Sequence, residues 1–185
     1  MNIFCEHHPL GIMRDFGSVL FLMISIGSAS VYAQNAKPNP HLKDPEKLVR
    51  HLYDQVTFPA GKTPDWNHVR TMFLKESTVV MRVSKTETAA LSLDGWILDF
   101  VNFIHDADVK TTGFEEKIVK MKSTVFGDIA HILVLYTSYI PGKSKAPQEG
   151  VDSFHLIKKD GDWKIVSILN EIPSKERPKP DILKD

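Results

Sequence analysis

The sequence predicts a single α+β domain: three helices in the first half, then an antiparallel sheet of long strands with the helices packed on one face. Two observations carry the prediction. Apolar residues recur at helical spacing as far as Ile104, whereas from Phe114 onward the chain runs in long β-rich segments joined by the tight-turn pairs Gly127-Asp128 and Asp160-Gly161. A third observation sets the scale: 185 residues, 42% apolar and 25% charged, suffice for one hydrophobic core.

The elements follow in order. The run Phe16 to Ile26 is apolar, follows Arg14 and leads to the small-residue pattern Val31-Tyr32-Ala33, so residues 1–33 are expected to be a secretory signal peptide cleaved before Gln34. Its uninterrupted apolar part is about a dozen residues, against roughly 20 for a spanning helix. Met13 is the better start, because Met13-Arg14-Asp15 leads directly into the apolar run. The expected location is secreted or periplasmic, with no stable membrane anchor after processing. Cys5, the sole cysteine, falls in this leader, which leaves the mature chain without a thiol nucleophile or thiolate metal ligand.

Residues 34–43, polar and holding Pro38 and Pro40, read as a flexible tether. Asp44 then caps a helix over about 45–57 with Pro45 in its first position and Leu48, Val49, Leu52, Tyr53 and Val56 on one face. Thr63-Pro64-Asp65 repeats the signal for a short second helix that carries Trp66, Val69 and Met72. His51 and His68, among polar neighbours on these helices, are expected to face solvent. Thr78 to Val83 and Glu87 to Leu91 form a hairpin. Ser92 caps the third helix, whose Leu93, Trp96, Ile97, Phe100, Val101 and Ile104 form a continuous apolar stripe. Strands are expected at 114–126, 129–140, 151–159 and 163–172. Residues 44–173 then make one domain, and residues 174–185, with Pro178 and Pro180 among charges, a polar tail.

Charge narrows the partners. Twenty-three basic and 23 acidic residues cancel, so no summed field favours nucleic acid, and none is expected as a partner. The glycines stand singly at turns, which excludes a phosphate-binding loop, and no Gly-x-Ser-x-Gly elbow occurs. No metal is expected, because His131 and His155 lack ligand spacing, and no cofactor.

The order of elements, with the strings Gly150-Val-Asp-Ser-Phe154, Asp160-Gly-Asp-Trp-Lys-Ile-Val-Ser167 and Phe126-Gly-Asp-Ile-Ala-His131 followed by Tyr136, resembles the SnoaL-like branch of the nuclear transport factor 2-like superfamily. The resemblance covers residues 44–173. It implies a conical fold in which three N-terminal helices enclose a strongly bent antiparallel sheet, a pocket between them, and often a homodimer through the outer sheet face. Exported bacterial members, isomerases, cyclases, dehydratases and noncatalytic binding domains share that fold, so it leaves the activity open.

Pairing across two-residue turns assigns side chains to faces. Val119 opposes Tyr136, Met121 opposes Val134 and Ser123 opposes Ile132; Phe154 opposes Ser167, Leu156 opposes Ile165, Asp152 opposes Leu169 and Gly150 opposes Glu171. The inner face would carry Tyr136, Ser138, Asp152, Ser167 and Glu171, joined by Tyr53 and Trp66 from the helices. Asp152, Glu171 and Tyr136 are the catalytic candidates, because a buried carboxylate near a tyrosine hydroxyl suits proton transfer; His131 is the alternative. Tyr53, Trp66, Tyr136, Ser138 and Ser167 are the ligand-binding candidates. The outer face would carry Ser153, His155, Lys164, Asn170 and the apolar Leu133, Leu135, Val166 and Ile168, which favours a homodimer. Two functions fit: an exported domain that binds a small apolar or amphipathic molecule or mediates assembly, and a cofactor-free lyase, isomerase or cyclase acting on a carbonyl substrate.

Overall fold

The computed structural model describes residues 39–143 and 146–184; the expected leader, with Met13 and Cys5, and residues 34–38 lie outside the described residues. Part of the segment expected to be a tether is folded. Pro40–Lys43 forms a short 3-10 helix whose Leu42 is buried, and the Lys43 ammonium pairs with Asp162 at 2.6 Å.

Among the described residues four α-helices form, three of them behind a side-chain cap. The Asp44 carboxylate accepts from the Lys47 amide and opens α1, Pro45–Val56, whose apolar face is buried as its spacing requires. Asp65 caps the five-residue α2, Trp66–Arg70, and the Ser92 hydroxyl caps α3, Leu93–Asp106. Asp108, in the left-handed region, precedes the four-residue α4, Val109–Thr112. It ends at Gly113 (φ +85°), where a Cβ would lie 2.7 Å from the Phe58 carbonyl oxygen, so glycine is required there.

Seven strands form one curved sheet in the order β1-β4-β5-β6-β7-β2-β3, with β1 Phe58–Pro59, β2 Phe73–Arg82, β3 Thr88–Ser92, β4 Gly113–Phe126, β5 Ile129–Tyr139, β6 Gln148–Lys159 and β7 Asp162–Glu171. Two parts of the expected architecture are corrected. The described helices are not three in an N-terminal block: α4 follows α3, and β1, as well as the expected hairpin, lies between them. The sheet is mixed, because β2 runs parallel to β7, with Thr78 opposite Ser167 and Val79 opposite Ile168. Met72 and Phe73 reach the sheet before Thr78 does, so β2 starts five residues earlier than its β-branched run suggests.

The turns hold the register near both hairpin tips, and a bulge then shifts it in each. Ser123 opposes Ile132 and Met121 opposes Val134 as expected, but Val119 is an extra residue and Ile118 opposes Tyr136. Leu156 opposes Ile165 as expected, but Val166 is extra; Phe154 then opposes Ile168, Asp152 opposes Asn170 and Val151 opposes Glu171. A shift of one residue reverses the face of everything beyond it. Glu116, Ile168 and Asn170 therefore turn inward, and Ser167 and Glu171 turn outward.

The main core lies between α1, α3 and the inner face, around Phe154, Leu48, Met72, Ile132 and Ile165. On the outer face the expected polar tail docks. Leu183 is 1% exposed against Leu135 and Val151, and the Lys179 ammonium bonds Glu149 at 2.9 Å. Of the apolar residues expected to be free on that face, Leu135 is covered by the tail and Ile168 is in the core. Leu133 and Val166 stay partly exposed there, and at the β4–β5 tip Phe126 is 81% and Ile129 56% exposed.

Candidate functional site

The inner face meets α1 and α3 around a narrow cavity of about 70 Å³. Its wall is mostly apolar, and four polar side chains converge on it: Tyr53 from α1, Glu116 from β4, Tyr136 from β5 and Asp152 from β6. A fifth, the buried Asn170 of β7, bonds two of them, Tyr136 and Asp152. Tyr53 reaches the cavity because it shares the α1 face of Leu48, Val49, Leu52 and Val56. Tyr136 lies on β5 two residues beyond the buried Val134, opposite Gly150. The glycine is required: a Cβ at position 150 would stand 2.3 Å from Tyr136 Cζ.

The hydrogen bonds define roles. Tyr53 Oη donates to Asp152 Oδ2 at 2.6 Å, and Asn170 Nδ2 donates to Asp152 Oδ1 at 2.8 Å and to Tyr136 Oη at 2.9 Å. Because Tyr136 Oη accepts from Asn170, its own proton is left to donate toward the cavity. The Glu116 backbone is tied to Thr57, while its carboxyl has no hydrogen-bond partner among the described residues.

Both carboxyls keep some surface inside the cavity yet are surrounded by protein, and burial raises both pKa values. Asp152 is pushed up to about 6, with the bonds from Tyr53 and Asn170 opposing the rise. Glu116 is pushed up to about 8, by burial first and then by the charge of Asp152. Asp152 is thus the more acidic of the two, which makes it the candidate base and Glu116 the candidate acid in one apolar cavity. Burial, then the neighbouring carboxyls, raise the hydroxyl pKa of Tyr53 and Tyr136, so both remain proton donors.

Of the residues named from sequence, Asp152, Tyr136 and Tyr53 meet in this cavity. Trp66 does not line it; its ring packs edge-on against Trp96 and Phe100, which do. Ser138 lines a separate, wider cavity with Phe103, Phe114 and Tyr139. Glu171 lies outside, bound by Arg82 at 2.6 Å and 3.0 Å, and the Arg82 hydrogen bond chiefly holds its carboxyl below the ordinary range. Ser167 and His131 are also outside: Ser167 Oγ bonds His155 Nδ1 at 3.1 Å, and His131 bonds Ser153 Oγ at 2.9 Å. Both reassignments of β7 residues follow from the bulge at Val166. Glu116 and Asn170, the two site residues missed, each lie beyond a bulge. Alternation counted from Phe114 alone would have placed Glu116 beside Ile118.

Among the described residues no group of three His, Cys, Asp or Glu side chains is placed to hold a metal ion. No helix among them is long and apolar enough to cross a membrane.

The fold has solved counterparts. A nuclear transport factor 2-like protein of unknown function from Pseudomonas putida KT2440 superposes with a TM-score of 0.57 at 9% identity, over 76% of this chain and 93% of that one. A nuclear transport factor 2-like protein with a cystatin-like fold from Novosphingobium aromaticivorans gives 0.57 at 12% identity, over 75% and 86%. A protein provisionally named scytalone dehydratase, from the same organism, gives 0.53 at 11% identity, over 70% and 81%. Neither the protein-family models nor the curated sequences give a match. The chain has the nuclear transport factor 2-like, cystatin-like α+β fold.

Proposed function

We propose that the chain binds a small amphipathic, carbonyl-bearing molecule in the Tyr53–Glu116–Tyr136–Asp152 cavity and moves a proton on it as a lyase or isomerase. The observation that carries this reading is the convergence of the Asp152 and Glu116 carboxyls on one apolar cavity, with the Tyr136 hydroxyl proton free beside them. Asp152 takes the proton from the carbon next to the carbonyl, and the electron pair moves to the carbonyl oxygen, which Tyr136 Oη stabilises as an enolate. Return of that pair expels a β-hydroxyl group, which takes the Glu116 proton and leaves as water. In an isomerisation Glu116 instead delivers its proton to another carbon. Either way Asp152 ends protonated and Glu116 ionised, and proton exchange between them through solvent restores the start. The fold shared with a protein named as a dehydratase is compatible with the lyase branch.

A second reading, binding without chemistry, is favoured by the apolar wall of Leu52, Val56, Val79, Met81, Phe154 and Ile168. One experiment separates them. Small carbonyl compounds are screened by thermal shift, and the hits are incubated with protein in D2O while NMR follows loss of the α-proton signal. Catalysed exchange that Asp152→Asn abolishes supports proton transfer. Binding without exchange leaves the second reading, and hits that bind the Tyr136→Phe and Asp152→Asn variants as tightly as wild type would refute the site.

Export to the periplasm or medium and a homodimer belong to the same proposal. The leader-like run Phe16 to Ile26 supports export, and N-terminal sequencing of exported protein should begin at Gln34. The exposed Phe126 and Ile129, with Leu133 and Val166, support association through the outer sheet face. Light scattering at micromolar concentration should report twice the chain mass, and a monomer mass would refute the dimer.

A further inference from the structure

Away from the cavity, the two histidines expected to face solvent, His51 and His68, meet each other and a third, His41. His41 of the 3-10 helix stacks on His51 of α1, with centroids 4.1 Å apart and planes 8° from parallel. His51 Nε2 and His68 Nε2, the latter on α2, stand 2.8 Å apart, a hydrogen bond between two imidazoles. Such a bond requires a lone pair on one nitrogen and a proton on the other. A first added proton can sit on the far nitrogen of the donor ring and leave the bond intact. A second must take the acceptor's lone pair, which breaks the bond and sets two cations against each other.

The bond joins two elements of the cavity's helical side. α1 carries Tyr53, whose hydroxyl holds Asp152, and α2 carries Trp66, which packs against the cavity-lining Trp96 and Phe100. At five residues α2 is too short to be stable by itself, so it depends on such contacts. We propose that the His41–His51–His68 cluster is a pH-sensitive latch, which holds α2 against α1 while His51 is neutral and releases α2 in acid.

The surrounding charges do not override it. Asp54, one turn further along α1, is the acidic group that favours protonation of His51, while His41 and His68 disfavour it. Burial and those two rings together hold His51 below the ordinary histidine range. Asp65 is engaged in capping α2, accepting from the His68 amide. Lys164 of β7 donates to the Thr71 carbonyl and adds positive charge at the end of α2, while the charge of Lys43 is balanced by Asp162.

The latch is independent of the proposed chemistry, and its test uses no ligand. Hydrogen exchange of the Val69, Thr71 and Met72 amides, which bond within α2 and at its end, is followed by NMR in the full chain and corrected for intrinsic rates. A closed form that excludes one proton from a group of ordinary pKa near 6.5 should open about tenfold more between pH 7.5 and 5.5. That rise should be confined to α2, with β5 amides unchanged, and should vanish in His51→Gln and in His68→Gln. It should persist in His131→Gln, whose ring lies on the outer face. Equal protection of α2 at both pH values, a rise shared by β5, or a rise retained in both cluster variants would overturn the latch.

Discussion

Replacing Gly150 with alanine tests how the site is held. Tyr136 lies across this glycine in the β5–β6 register, and a Cβ there would stand 2.3, 2.4 and 2.5 Å from its Cζ, Oη and Cε1. Ordinary carbon contacts are about 3.5 Å or more, so the ring must move by roughly 1 Å. The ring is 7% exposed and packed beside Tyr53, Ile118 and the Asn170 amide, so the open direction is into the cavity, away from the Asn170 hydrogen bond. Overpacking of this kind costs about 1–3 kcal/mol, and loss of the Asn170–Tyr136 hydrogen bond adds about 1 kcal/mol. Gly150→Ala should therefore lower the melting temperature by roughly 5–12 °C for a domain of this size. Adding Tyr136→Ala should make the alanine at 150 nearly neutral, because the clashing ring is gone. The assay is thermal denaturation of the wild type, both single variants and the double variant at pH 7. If Gly150→Ala melts within about 2 °C of wild type, or if the two changes are simply additive, the ring is not held over the glycine.

Two further outcomes are expected. Glu116 is neutral in the folded chain up to about pH 8 but ionises near 4.5 when unfolded, so the folded chain binds the extra proton and stability falls as pH rises between those values. Glu116→Gln should match wild type near pH 4.5 and melt higher above pH 8; melting curves that stay parallel across this range would show that Glu116 is not a buried acid. Leu183→Ala should cost about 2–3 kcal/mol, as for other core leucines, because its side chain is sealed against Leu135 and Val151. A urea midpoint unchanged from wild type would mean the C-terminal segment does not dock.

The local half of this protein was legible in the sequence. Asp44 and Ser92 each cap the helix they were expected to cap, and within Thr63-Pro64-Asp65 the cap is Asp65, because a cap bonds an amide three residues away. Gly127-Asp128 and Asp160-Gly161 turn the chain where expected, and the register beside each turn follows by counting. Tyr53, Tyr136 and Asp152, grouped from sequence, accordingly share one cavity. The strings around Phe126, Gly150 and Asp160 also pointed to the right fold, which solved structures share at 9–12% identity.

Tertiary structure decided the rest. Val119 and Val166 carry no sign of being bulges; no glycine or proline marks them, and a bulge arises where strand twist and neighbouring strands demand one extra residue. Those two residues exchange Glu171 and Ser167 for Asn170 in the site and bring Glu116 in from the opposite face. The docking of Leu183 and the meeting of His41, His51 and His68 are likewise contacts between segments distant in the chain. Periodicity within a strand shows which residues share a face only as far as the next irregularity, and where that falls is settled by the sheet as a whole.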